Sequence, residues 1–144
     1  MPPISPSTVS PNPPAKTSET PHGQLTVRVM AMPADTNANG DIFGGWVLSQ
    51  MDIAGGIASS DRARGRTTTV RLEGMTFLRP VKVGDTLCVY TEIEHIGTTS
   101  MRIHIEAWAN RFLTHHREKV TDATFIYVAI NESGRPRPVP KEEN

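Results

Sequence analysis

The chain has 144 residues, a length that suits one domain with a single hydrophobic core. Fifteen Lys and Arg residues balance fifteen Asp and Glu residues, and this zero net charge argues against binding to nucleic acid or to a membrane surface, which needs a basic excess. No apolar run approaches the roughly 20 residues of a transmembrane helix. The lone Cys88 excludes an internal disulfide and a multi-cysteine metal site, and it suits a reducing compartment. The N-terminus has no basic region followed by an apolar one, so we expect no signal peptide and a cytoplasmic protein.

The two ends of the chain differ in composition from its middle. Residues 1–22 hold seven of the twelve prolines, mixed with Ser and Thr, and cannot bury enough apolar surface to offset the entropy lost on ordering. We therefore predict a disordered tail over residues 1–22 and a folded domain over residues 23–132. The Pro-rich residues 133–144 cannot form a central strand, so we predict an extended, exposed tail there.

The predicted elements of the domain begin with a strand at residues 24–32, where apolar and polar side chains alternate until Pro33 ends the run. A loop leads into a long helix, which has begun by Trp46 and ends near residues 62–66. Four further strand-like runs, joined by turn-rich connectors, lie at residues 67–78, 85–97, 99–112 and 119–130. This order predicts an α+β domain with an antiparallel sheet and one dominant helix. In the run at residues 99–112, apolar residues alternate with Arg102, His104, Glu106 and Trp108, so one strand face is solvated or meets a partner.

The predicted helix is unusually apolar. At ~100° per residue its apolar side chains cover roughly 220° of the circumference, against a stripe of about 100° for a surface helix. We expect the sheet to wrap around it. The remaining arc contains one acid among small residues, and we expect a second subunit or a sheet to press in there, because glycine in a helix needs a packing reason. Its members are Ser49, Asp52, Gly56, Ser59 and Ser60.

Candidate catalytic groups surround the start of this helix. Asp52 is placed to attack an acyl carbonyl or activate water, although a solvent-exposed acid fits the pattern equally well. Asp41 suits an N-cap or an acid that stabilises the helix dipole, and Asn37 suits a turn. The pair Gly44 and Gly45 would let a ligand reach unsatisfied N–H groups at the positive end of the dipole, which is oxyanion-hole geometry. The five histidines all lie outside the loop and the helix, and no metal-binding cluster is visible.

Four segments of the chain form a recognisable pattern: MPADTNANGDIFGGWVLSQMDIAGG, MTFLRPVKVGD, VTDATFIYVAI and GRPRPVP. This pattern closely resembles the YciA-type acyl-CoA thioesterases of the hotdog-fold superfamily, and the match covers about residues 24–140. The resemblance implies a hotdog fold, in which a five-stranded antiparallel sheet wraps around one long central helix. It also implies hydrolysis of acyl-CoA to a free carboxylic acid and coenzyme A. No metal and no cofactor are implied, since coenzyme A is part of the substrate and product.

The resemblance also assigns roles to residues of this chain. It implies that Asp52 is the nucleophile or general base and that Asn37 helps to place the attacking water or the carbonyl. It implies that the N–H of Gly44 or Gly45 polarises the thioester oxygen. Asp41 lies in the same motif, and we expect it to cap the helix. Because active sites of this family lie between subunits, Asp52 and Asn37 should face each other across a dimer, and three dimers should form a hexamer.

Coenzyme A carries several phosphates, and basic residues in two of these segments, around residues 77–82 and 134–141, are candidates to bind them. They are Arg79, Lys82, Arg135 and Arg137. Guanidinium groups match the geometry of phosphate, but ordinary surface charge explains these residues equally well. Ser100 is a further candidate contact. Two other functions stay open: a hotdog dehydratase or hydratase, which would need a His and an acid, and a non-catalytic acyl-CoA-binding or sensor protein, which would lack the acid.

Overall fold

The computed structural model describes residues 19–142, so residues 1–18 of the predicted N-terminal tail lie outside it. Among the described residues, five strands and one long helix follow in the order that the sequence predicts, with a 3-10 turn, Pro33–Asp35, after the first strand. The elements are β1 (Gln24–Met30), α1 (Gly44–Ala63), β2 (Thr67–Glu73), β3 (Thr86–Ile96), β4 (Ser100–Asn110) and β5 (Arg117–Ala129).

All strand pairs are antiparallel, and the sheet order is β1-β3-β4-β5-β2. Strands β3, β4 and β5 form a meander, whereas β2 comes from the far end of α1 and pairs with β5, with Thr67 opposite Ala129. The α+β prediction of a five-stranded antiparallel sheet and one long helix is confirmed. Because β1 and β2 are the edges of the sheet, the backbone of β2 keeps one side unpaired within residues 19–142.

Strand β2 is shorter than predicted. Its alternating pattern runs on to Leu78, but the strand ends at Glu73 because Gly74 adopts a positive φ of 63° and turns the chain away. Residues 75–80 then pass the start of α1 in irregular conformation, and Leu78 N–H donates to the carbonyl of Val120. This irregular stretch brings Phe77 and Arg79 to the N-terminal end of the helix.

The helix α1 contacts every strand, but the sheet covers only one of its faces. The buried stripe follows helical spacing and consists of Val47, Met51, Ala54, Gly55, Ser59 and Ala63. The opposite face leaves Ile53 51% and Ile57 42% exposed, so the predicted wrapping is incomplete within one chain. Ser59 belongs to the predicted arc of small residues, and the sheet does press in there, because its hydroxyl is buried 2.7 Å from the hydroxyl of Thr67 on β2.

The C-terminal segment is extended, but it is less exposed than predicted. Ile130 bridges to Pro136, and Arg137 N–H donates to the carbonyl of Ala129. The guanidinium of Arg137 donates to the carbonyls of Ala63 and Ile130, each at 3.0 Å, and so satisfies an acceptor at the helix C-terminus. These contacts hold the segment against the domain.

The outer face of the sheet carries a buried carboxylate, Glu106. It accepts hydrogen bonds from the Trp108 indole at 2.9 Å, the His104 ring at 3.2 Å and the His22 backbone N–H at 3.2 Å. Burial acts to raise the pKa of Glu106, but these hydrogen bonds and the nearby Lys119 charge outweigh it and lower that pKa.

Within residues 19–142, no helix has both the length and the apolar character to cross a bilayer.

Candidate active site

The loop before α1 is folded around the side chain of Asn37. Its Oδ1 accepts the backbone N–H groups of Asn39 at 2.8 Å and Asp41 at 3.1 Å. Because both partners are N–H donors, the atom facing them must be the amide oxygen, and the NH₂ group must point the other way. Within residues 19–142 no acceptor binds that NH₂ group, so Asn37 forms the turn and also presents free donors.

Asp41 does not cap the helix, and our prediction that it would do so was wrong. The N-cap position belongs to Phe43, and no side chain caps α1. Asp41 instead forms an ion pair with the ammonium of Lys82, which comes from the connector between β2 and β3. This pair ties the loop that holds Asn37 to the connector.

The first backbone N–H groups of α1, at Gly44 and Gly45, donate no hydrogen bond to any described residue, as expected at a helix start. The two glycines face different surroundings. A Cβ added to Gly44 would lie 3.3 Å from the Phe77 ring, whereas one added to Gly45 would meet nothing within 4 Å in this chain. The helix mouth therefore offers two polarised donors with open space beside Gly45.

The carboxylate of Asp52 is half-buried and held by two hydroxyl groups, so a simple solvent-exposed acid does not describe it. Its Oδ1 accepts the Thr69 hydroxyl at 2.6 Å and the Tyr127 hydroxyl at 2.9 Å. Within residues 19–142 its Oδ2 accepts no hydrogen bond. The sequence analysis did not identify Thr69 or Tyr127 as partners of Asp52. A tyrosine that faces the core needs a hydrogen-bond partner for its hydroxyl, and this requirement could have pointed to Tyr127.

Tyr127 reaches Asp52 because Gly55 has no side chain. A Cβ at position 55 would lie 1.9 Å from the Tyr127 hydroxyl oxygen. Burial is the main cause that raises the pKa of Tyr127 far above its ordinary value, and the hydrogen bond and charge of Asp52 add to it. The phenol therefore stays protonated and stays a donor.

Two grooves flank the N-terminal half of α1, each with a volume of about 320 Å³. One is lined by Asp52 and Thr69, together with Gly45, Leu48, Ser49, Leu72 and Phe125. The other is lined by Asn37 and Asp41, together with Gly44, Phe77, Arg79 and neighbouring apolar residues. Within one chain, Asp52 and Asn37 therefore lie in different grooves. A larger groove of about 590 Å³ lies along the C-terminal half of α1 and contains none of the predicted site residues.

The candidate phosphate ligands differ in how far they are already engaged. Arg79 donates to the carbonyl of Lys119 at 2.8 Å, Lys82 pairs with Asp41, and Arg137 binds two carbonyls. Among the described residues, none contacts the exposed guanidinium of Arg135. Ser100 begins β4, half-buried, beside a turn in which Thr98 binds the C-terminal segment at Val139.

The outer sheet face brings together three side chains of metal-binding types, which the sequence did not reveal as a cluster. Ligand atoms of His104, Glu106 and Asp122 lie within 4.8 Å of one another. The two carboxylates are already compensated, Asp122 by the Lys119 ammonium and Glu106 by its hydrogen-bond donors. This cluster is on the face of the sheet away from α1 and contributes to neither N-terminal groove.

Residues 39–111 match the family model described as the thioesterase superfamily. The acyl-CoA thioester hydrolase YciA of Salmonella typhimurium is 56% identical over 124 residues, which cover 84% of this chain and 93% of that protein. The solved hexameric thioesterase y2039 from Yersinia pestis is 50% identical, with a TM-score of 0.82 over 85% of this chain and 100% of that chain. The solved HI0827, a hexameric broad specificity acyl-coenzyme A thioesterase, is 44% identical, with a TM-score of 0.85 over 90% of this chain and 89% of that chain.

Proposed function

Because this chain belongs to the YciA-type acyl-CoA thioesterases of the hotdog-fold superfamily, we propose that it hydrolyses acyl-CoA to a free carboxylic acid and coenzyme A. The observation that carries the proposal is the Asp52 carboxylate, which is held by Thr69 and Tyr127 in a groove beside the helix mouth. A protein that only bound acyl-CoA would have no need of an oriented carboxylate there.

The active unit is a dimer, in which Asp52 of one subunit meets Asn37 of the partner subunit. Three features support this arrangement. The two residues line different grooves of one chain. Strand β2 is an edge strand with exposed Val70 and Leu72, and the neighbouring face of α1 exposes Ile53 and Ile57. A second copy would cover these apolar residues and pair with the free edge.

Each group at this shared site has a chemical role. Oδ2 of Asp52 either attacks the thioester carbon to form an anhydride or removes a proton from a water that attacks it. The carbonyl oxygen gains negative charge, which the free N–H groups of Gly44 or Gly45 and the NH₂ of Asn37 stabilise. The C–S bond then breaks and coenzyme A leaves as the thiolate. In the first route, water then hydrolyses the anhydride, which releases the carboxylic acid and restores Asp52. In the second route, the proton that Asp52 took from water passes to the thiolate. These groups supply the reaction without a metal or a cofactor.

Substrate binding rests on local basic groups, because the chain has no net charge to steer a polyanion. The guanidinium of Arg135, which no described residue hydrogen-bonds, is the most available to bind a phosphate of coenzyme A, and Arg79 and Lys82 lie beside the groove that holds Asn37. Arg137 supports the segment that presents Arg135. Ser100 is a further contact candidate at the same edge. Three dimers form a hexamer in this proposal, and the two solved relatives are each hexameric.

Release of free thiol from acyl-CoAs of different chain length tests the proposal. Asp52→Asn is nearly isosteric and should lower kcat by about 10²-fold or more, the range for a positioned base. Asp61→Asn makes the same change at an exposed acid of the same helix and should leave kcat unchanged. Acyl-CoA binding without thiol release by the wild type would indicate a binding protein instead. No histidine of residues 19–142 lines either groove, so nothing in them favours a dehydratase or hydratase.

A further inference from the structure

Two hydroxyl groups converge on a single oxygen of the Asp52 carboxylate. The Thr69 and Tyr127 hydroxyls both donate to Oδ1, and Oδ2 has no donor among the described residues. The carboxylate plane is thereby fixed, and its two oxygens become chemically distinct. Oδ1 is occupied by protein donors, and Oδ2 is the oxygen left for a thioester carbon or a water molecule.

The two donors differ in whether they are accessible from the groove. Thr69 is exposed on the edge strand β2 and lines the groove, so it is open to direct contact with substrate. Tyr127 is buried near the C-terminal end of β5, its ring stacks on Phe125 at a centroid distance of 6.2 Å, and it does not line the groove. Its hydroxyl reaches past Gly55 to Oδ1 and also lies 3.2 Å from the Asp52 carbonyl. Tyr127 therefore touches the reaction only through Asp52.

We propose that Tyr127 is a positioning residue for the hydrolysis, whose hydroxyl fixes Oδ1 of Asp52 and thereby aims Oδ2 at the reacting atoms. This inference rests on the proposed function, since it needs Asp52 to act on a thioester. A rigid, buried phenol suits the task because packing holds its ring in one orientation. Without the hydroxyl, Thr69 alone would hold the carboxylate, and the two oxygens could exchange places by rotation about the last side-chain bond.

The expected signature is a change in kcat with little change in KM. A hydrogen bond to a charged group is typically worth enough that its loss here should lower kcat by roughly tenfold or more. Tyr127 contributes nothing to the surface of the groove, so binding of acyl-CoA in the ground state should be unaffected. A residue that only filled the core would instead change stability and leave kcat of the folded enzyme intact.

Kinetics of Tyr127→Phe on the full chain test the inference, with thiol release measured for one short and one long acyl-CoA. The chain has one other tyrosine, Tyr90 on β3, and Tyr90→Phe is the matched control that should keep wild-type kcat and KM. Wild-type kcat in folded Tyr127→Phe, or a raised KM with unchanged kcat, would overturn the inference while thiol release by the wild type still upheld the proposed function. Absence of thiol release by the wild type would refute the proposed function itself.

A second measurement separates positioning from a general disturbance of the site. In an Asp52→Asn background, Tyr127→Phe should cause no further fall in the residual kcat, because the carboxylate through which it acts is gone. A further tenfold fall in that background would show that Tyr127 acts by another route and would also overturn the inference.

Discussion

Replacing Gly55 with alanine should destabilise this protein, although alanine normally favours a helix. The new Cβ would lie 1.9 Å from the hydroxyl oxygen and 2.4 Å from Cζ of Tyr127, distances that real Cβ atoms do not adopt. Tyr127 is buried in the hydrophobic core, so the ring cannot swing aside without disturbing its neighbours. Either the ring or the helix must move, and the hydrogen bond to Asp52 breaks.

The size of the effect follows from three contributions. Alanine in place of glycine inside a helix stabilises by about 1 kcal/mol. Overpacking a well-packed core costs about 1–3 kcal/mol, and loss of a hydrogen bond to a charged group costs about 1.5–3 kcal/mol. Together they predict that Gly55→Ala lowers the free energy of unfolding by about 1.5–5 kcal/mol.

Urea unfolding at one fixed protein concentration measures this, because the stability of an oligomer depends on concentration. Gly56→Ala is the matched control, since a Cβ at position 56 meets nothing within 4 Å in the same chain. It should leave stability unchanged or raise it by up to about 1 kcal/mol. If Gly55→Ala proves as stable as Gly56→Ala, the close approach of Tyr127 to the helix is refuted.

Three further outcomes are expected. The lowered pKa of Glu106 means that its carboxylate stabilises the fold above its unfolded-state pKa of about 4.3 and loses this effect as pH falls through the folded-state pKa. Glu106→Gln should therefore be less stable than wild type at neutral pH, and the difference in their free energies of unfolding should shrink as the pH is lowered. A difference that stays constant with pH would contradict this. Arg135→Ala should raise KM for acyl-CoA without changing kcat, an effect that salt weakens and that a substrate lacking the nucleotide does not show. Gly56→Leu should dissociate or inactivate the oligomer in light scattering and assay, and an unchanged active oligomer would count against a subunit contact at this face.

The order of elements and the class of sheet were predictable because alternation and helical spacing are local patterns. Two features of these elements were not predictable from the same patterns: where β2 ends and which helix residues are covered. Gly74 ended β2 five residues before the apolar pattern did. A helical wheel shows which residues are apolar, but it does not show whether they pack on their own sheet, as Met51 does, or stay open, as Ile53 and Ile57 do.

The site was only partly predictable for a related reason. The free donors of Asn37 could not be inferred, because they follow from which atom the loop amides bind. Asp41 was expected to cap the helix, but a lysine 41 residues further along the chain binds it instead. The hydroxyl of Tyr127 meets Asp52 across 75 residues, and alternation alone marks that tyrosine as one more core residue. Such long-range contacts are fixed by the sheet order and not by any local pattern.

Mixing two inactive variants tests the central claim, that Asp52 and Asn37 meet across a subunit interface to hydrolyse acyl-CoA. Asp52→Asn removes the carboxylate, and Asn37→Asp keeps the oxygen that holds the loop while removing the free NH₂ donors. Each variant alone should release little thiol. After the two are unfolded together and refolded in equal amounts, half of the dimers should be hybrids with one intact site of two, which gives about a quarter of wild-type activity. Activity that stays at the level of the separate variants, although hybrids form, would contradict a shared site.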